Sequence, residues 1–96
     1  MTELLKRISA LNDETRIALT AFLIKNGPLC VCDMCRSFDM SQSRISRHLK
    51  ILKEANLLKV KRVGTWAYYE SNMDEELNKL IQSLNIETPE FVAEEG

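Results

Sequence analysis

Three cysteines stand within six residues, in the run Cys30-Val31-Cys32-Asp33-Met34-Cys35, and the chain has no others. Thiolates packed this closely make a soft donor set, suited to thiophilic ions rather than to hard cations. An odd number confined to one short run is not a disulfide framework; in a reducing compartment such a cluster is metal-binding or redox-active. A few residues later comes Ser41-Gln42-Ser43-Arg44-Ile45-Ser46-Arg47-His48-Leu49, basic and amphipathic, with polar side chains at its start. The juxtaposition couples a soft-ligand site to a helix equipped to read nucleic acid.

The charge distribution agrees with such a helix. Net charge over the 96 residues is −1. Residues 36–62 nevertheless hold eight basic and two acidic side chains, whereas residues 63–96 hold one basic and eight acidic. A basic middle can bind a polyanion locally while the whole chain stays near neutrality. Hydrophobic content of 45% suits a globular domain with its own core. The longest apolar stretch, Ile17 to Ile24, is interrupted by Thr20 and is too short to cross a bilayer. With no signal-like start, a cytoplasmic, bacterial location is expected.

These segments need elements to position them. Leu4, Leu5, Ile8 and Leu11 fall at helical spacing over residues 3–11. Asn12-Asp13-Glu14 supplies a cap and first-turn acids for a second helix to about Lys25, with Ile17, Ala21 and Ile24 beside Phe22 and Leu23 as its core side. Asn26-Gly27-Pro28 stops it. A short third helix is expected from Leu29 to about Phe38. Asp39-Met40-Ser41 is then a turn, with Ser41 or Ser43 capping a fourth helix whose inner side is Ile45, Leu49 and Leu52. Two helices joined by so short a turn form a helix-turn-helix pattern. Leu58 to Glu70 switches to alternating, β-branched and aromatic residues around Gly64, which reads as a hairpin. A hairpin here, carrying Lys61 and Arg62, is the wing of a winged helix, with Trp66, Tyr68 and Tyr69 packing on wing and core. Asp74-Glu75-Glu76 opens a last helix with Leu77, Leu80, Ile81 and Leu84 at i, i+3, i+4 and i+7. The expected architecture is mainly α with a small β-hairpin. Residues 1–86 form the domain and residues 87–96 a loosely ordered acidic tail.

The run Leu11-Asn12-Asp13-Glu14-Thr15-Arg16, the cysteine run after Leu29, Ser41-Gln42 with Ile45-Ser46-Arg47-His48-Leu49, and Arg62-Val63-Gly64 ahead of Tyr68-Tyr69 together resemble the ArsR/SmtB family. The resemblance covers about residues 3 to 85. It implies a homodimeric winged-helix repressor that leaves DNA when it binds a metal or metalloid. The Cys-Val-Cys-Asp-x-Cys run is similar to that of arsenite- and antimonite-responsive members. The family's dimer interface joins its first and last helices, which makes Leu4, Leu5, Ile8, Leu77, Leu80, Ile81 and Leu84 candidate interface residues here. A twofold dimer implies operator DNA with inverted half-sites one helical turn apart. The family's second metal site needs histidines on the last helix, and residues 74–84 contain none.

Three thiolates suit As(III) or Sb(III), whose lone pair favours three-coordinate pyramidal sites; structural zinc wants four ligands. Cd(II) and Pb(II) also accept three thiolates. Related cadmium-responsive repressors borrow a cysteine from an N-terminal arm, and no cysteine precedes Cys30, so Cys30, Cys32 and Cys35 are the expected ligands. On a regular helix Cys32 and Cys35 share a face while Cys30 lies about 160° around from Cys32. Ion binding is therefore expected to unwind or re-angle the first turn and to shift the helix that follows. For DNA, Gln42, Ser43, Ser46 and Arg47 carry donors and acceptors for base edges, and Arg44, Lys50, Lys61 and Arg62 suit phosphates. His48 is expected to be partly buried and hydrogen-bonded. Alternatives within the fold are a repressor triggered by thiol oxidation, by Cd(II)/Pb(II) or by an organoarsenical using two cysteines. Outside it stands a thiol-disulfide enzyme using Cys32 and Cys35, which lacks the preceding strand such a motif needs. No catalytic residues and no organic cofactor are expected.

Overall fold

The computed structural model describes residues 1–94. Its elements follow in the order α1 (Thr2–Leu11), α2 (Glu14–Asn26), α3 (Val31–Phe38), α4 (Gln42–Glu54), β1 (Leu58–Val63), β2 (Trp66–Ser71) and α5 (Glu75–Ser83). Three helix starts carry the side-chain caps that their sequences provide. Asp13 accepts from the backbone N–H groups of Thr15 and Arg16 at 2.9 and 3.1 Å. Ser41 accepts from Arg44 at 3.3 Å and Asp74 from Leu77 at 2.9 Å. Each satisfies an N–H that the helix itself leaves without a partner. α2 ends at Gly27, whose φ of 78° only glycine adopts without strain.

α2 is the central helix, in contact with α1, α4, α5 and β2. That position explains why its apolar pattern is less one-sided than Ile17, Ala21 and Ile24 suggest. Leu19, Phe22 and Leu23 are fully buried, and those three are only half-buried. Thr20 is also buried, and its hydroxyl donates to the Ile17 carbonyl at 2.7 Å, which removes the cost of an unpaired polar group. Met34 of α3 and Ile45, Leu49 and Leu52 of α4 close the core from the other side. The expected inner face of α4 is thus the buried one.

β1 and β2 pair antiparallel from Leu58↔Ser71 to Val63↔Trp66, with Gly64 at φ 62° in the turn. Tyr69 packs on the core. Trp66, expected to pack, is instead 54% exposed opposite the similarly exposed Val63, at the turn end of a two-stranded ribbon. No helix among the described residues is long and apolar enough to cross a membrane.

The stretch after Ile86 has neither helix nor strand over residues 87–94. It nevertheless lies against the helices: the Phe91 ring stacks on Phe22 at 6.5 Å, and the Val92 backbone N–H donates to the Ser37 hydroxyl at 3.0 Å. Glu95 and Gly96, at the end of the predicted acidic tail, lie outside the described residues.

Candidate functional site

The spacing predicts a third helix from Leu29, but α3 starts two residues later, at Val31. The reason is a contact that spans the chain: Leu29 pairs with Tyr69, its N–H donating to the Tyr69 carbonyl at 3.0 Å and its carbonyl accepting the Tyr69 N–H at 2.7 Å. Leu29 is held in an extended backbone, and Cys30 becomes the N-cap residue with φ −85° and ψ 166°. Cys30 is therefore off the helix, while Cys32 and Cys35 sit on it three residues apart.

Asp33 organises this turn. Its carboxylate accepts the Cys30 backbone N–H at 3.3 Å and the Cys30 S–H at 3.2 Å, and pairs through its other oxygen with the Arg36 guanidinium. Cys32 is exposed, whereas Cys30 and Cys35 are half-buried, Cys35 against the core. Burial pushes the Cys30 and Cys35 thiols up; the Asp33 charge adds to the effect at Cys30 and the neighbouring Cys32 at Cys35. A helix N-terminus favours a thiolate, but here desolvation and like charge win. Among the described residues no three Cys, His, Asp or Glu side chains are gathered closely enough to hold an ion. The donor set fits a thiophilic ion by its chemistry, and the Cys30 sulfur is turned to Asp33 instead.

The far end of α3 is tied to the next helix. The Cys35 carbonyl accepts the backbone N–H of Asp39 and of Met40, the latter at 3.2 Å. Asp39 takes a left-handed backbone at φ 52°, and two residues later Ser41 caps α4. A movement of Cys35 thus bears directly on the turn that leads into α4.

On the outer side of α4, Gln42, Ser43, Arg44, Ser46, Arg47 and Lys50 are all exposed, as are Lys61 and Arg62 on β1. Among the described residues their cationic groups form no ion pair, whereas Lys59 is paired with Glu70 at 3.3 Å. A concavity of about 540 Å³ between the end of α4 and the wing is lined by Lys53, Lys59 and Arg62. His48 is half-buried with its Nδ1 3.4 Å from Arg16 Nη1. Arg16 also donates to the Ala10 carbonyl at 2.6 Å and lies 3.7 Å from Asp13. Burial lowers the His48 pKa; Asp13 opposes this, and Arg16, Arg44 and Arg47 reinforce it. Sequence reasoning missed Arg16, Lys53 and Arg36. Only the i,i+3 spacings Asp13–Arg16 and Asp33–Arg36 hint at two of them.

The seven candidate interface residues divide. Leu4, Leu5, Ile8, Leu80 and Leu84 are each between 54% and 57% exposed. Leu77 packs on the core, and Ile81, only 3% exposed, is part of it. Ile81 points inward where α5 packs on α2, so its side chain is buried within the chain's own core.

Residues 13–60 match the family model for the bacterial regulatory proteins of the arsR family. The chain is 43% identical over 76 residues to the arsenical resistance operon repressor of Bacillus subtilis, covering 79% of this chain and 71% of that protein. To the repressor of the same description from Escherichia coli it is 48% identical over 59 residues, 62% of this chain and half of that protein's length. In structure it is similar to the homodimeric winged helix-turn-helix DNA-binding domain of a Mycobacterium bovis protein, with TM-score 0.77 and 22% identity, covering 88% of this chain and 77% of that one. Five helices, the α3–α4 pair and a two-stranded wing are that fold. A regulatory family is no family of enzymes, which removes the thiol-disulfide reading of Cys32 and Cys35. With the matched segment running from the cap of α2 into the wing, the chain belongs to the arsR family of bacterial regulatory proteins.

Proposed function

We propose that the chain is a homodimeric transcriptional repressor that holds operator DNA and lets go when As(III) or Sb(III) binds Cys30, Cys32 and Cys35. The observation that carries this reading is the placement of the thiols. Cys30 caps α3 while Cys32 and Cys35 lie on it, and the Cys35 carbonyl accepts N–H groups from the turn into α4. For three sulfurs to meet one ion, Cys30 must leave Asp33 and swing toward Cys32 and Cys35, which opens the cap of α3. The altered turn then re-aims α4. A 100-fold fall in DNA affinity needs about 2.7 kcal/mol of coupling, an ordinary magnitude for two linked sites.

The exposed row Gln42, Ser43, Ser46 and Arg47 supports base reading, and Arg44, Lys50, Lys61 and Arg62 support phosphate contacts. The exposed Leu4, Leu5, Ile8, Leu80 and Leu84 support a twofold interface built from α1 and α5, and hence inverted half-sites. The arsenical resistance repressors among its relatives support the metalloid as inducer. Arsenite reacts as As(OH)₃: each thiol forms an As–S bond, each hydroxide leaves with a thiol proton as water, and no net proton is released. Direct titration of the reduced protein tests the site, read by the ultraviolet absorption of As–S bonds. Three As–S bonds that fall to two in each single Cys→Ser variant are expected. Two bonds in the unaltered protein would point to a two-thiol site and an organoarsenical.

A further inference from the structure

The acidic stretch after α5 is seated on the helix that carries the thiols, and it shares a residue with the thiol turn. Arg36 reaches two ways: one N–H group meets the Asp33 carboxylate, and Nε donates to the Val92 carbonyl at 3.2 Å. The Val92 N–H donates to Ser37, which is buried on α3, and the Phe91 ring stacks on Phe22, itself edge-on to Phe38 at 5.1 Å. A continuous line of contacts therefore runs from the Cys30 sulfur through Asp33 and Arg36 to the backbone of Val92.

We propose that Phe91–Val92 is an intramolecular clamp on α3, coupled through Arg36 and Asp33 to the engagement of Cys30. Docked, the clamp fixes Arg36, Arg36 fixes Asp33, and Asp33 holds the Cys30 sulfur away from Cys32 and Cys35. Drawing Cys30 off Asp33 frees one end of this line and weakens the other. Linkage makes the effect reciprocal, so releasing the clamp readies Cys30 for an ion. The part that concerns arsenite rests on the reading under Proposed function; the clamp itself does not.

The test uses the full chain and two variants. Val92→Pro removes the N–H that Ser37 accepts and leaves Arg36 and Asp33 in place; Arg36→Met removes the shared residue. Alkylation by N-ethylmaleimide is followed at each cysteine by peptide mapping, with the exposed Cys32 as internal reference. Cys30 should react about fivefold faster in both variants, the effect of losing one net hydrogen bond, while Cys32 keeps its rate. Val92→Pro, which has no amide hydrogen at that position, is read by alkylation alone. Amide hydrogen exchange at Val92, slowed in the unaltered protein by its bond to the Ser37 hydroxyl, should be released in Arg36→Met. Arsenite should release it as well. Unchanged Cys30 reactivity in both variants, or no protection of Val92 in the unaltered protein, overturns the clamp. Arsenite that binds without speeding exchange at Val92 overturns the coupling. Arsenite that fails to bind refutes the metalloid reading and leaves the alkylation result to decide the clamp.

Discussion

Leu80 and Ile81 are neighbours in sequence with opposite expected fates, which makes them a sharp test of the interface. Leu80 is 54% exposed and Ile81 3%. Burying a whole Leu or Ile side chain is worth roughly 1.5–3 kcal/mol, so a half-exposed one has about 0.8–1.5 kcal/mol left to gain. Leu4, Leu5, Ile8, Leu80 and Leu84 from two protomers together reach on the order of 8–15 kcal/mol, comparable to the cost of association. Leu80→Ala deletes most of one such contribution twice per dimer, about 1–2 kcal/mol, and should weaken dimerisation roughly 5- to 30-fold. Sedimentation equilibrium measures this directly. Urea unfolding below the dimer dissociation constant should show Leu80→Ala nearly as stable as the unaltered chain. Ile81→Ala should instead lose about 2–5 kcal/mol of that stability, as core truncations do. An unaltered protein that sediments as a monomer at tens of micromolar would refute the interface, as would a Leu80→Ala dimer of unchanged affinity.

Further outcomes follow from the DNA face and from the ionisable groups. Lys61→Ala and Arg62→Ala should each lower the salt dependence of DNA binding by about one unit of slope, whereas Arg47→Ala should cost about 1–3 kcal/mol chiefly at one base position, as binding measured across salt and operator variants would show. His48, whose pKa the fold lowers, binds protons more readily when unfolded, so it contributes stability that is full above its unfolded pKa of about 6.5 and is lost as pH falls through that value toward the folded one. Thermal midpoints should therefore fall more steeply between about pH 7 and 5 for the unaltered chain than for His48→Gln. With the Cys30 and Cys35 thiols pushed up, cadmium must displace protons and should bind more tightly as pH rises, while arsenite affinity stays flat across neutral pH; paired isothermal titrations would show the contrast.

Much of this was legible in the chain. The thiol run, the caps at Asp13 and Ser41, the acidic start of the last helix, the inner row Ile45, Leu49 and Leu52, and the hairpin about Gly64 all depend on neighbours within a few residues. What was not legible depends on distant partners. Leu29 reads as the start of a helix until Tyr69, 40 positions away, draws it into a bridge, and only then is Cys30 a cap residue. Arg36 reads as one more basic side chain until Val92 returns to it. Leu80 and Ile81 belong to one apolar stripe, and only the position of α2 decides which of them turns inward.

Release of DNA on occupation of the three thiols is measured by titrating arsenite, and separately cadmium, into the reduced protein bound to a labelled operator fragment. Cys30→Ser, Cys32→Ser and Cys35→Ser are run alongside. Release by arsenite that is lost or strongly weakened in all three variants is the expected result. Release by a mild oxidant, with neither arsenite nor cadmium having any effect, would contradict it and make the same cluster a redox sensor.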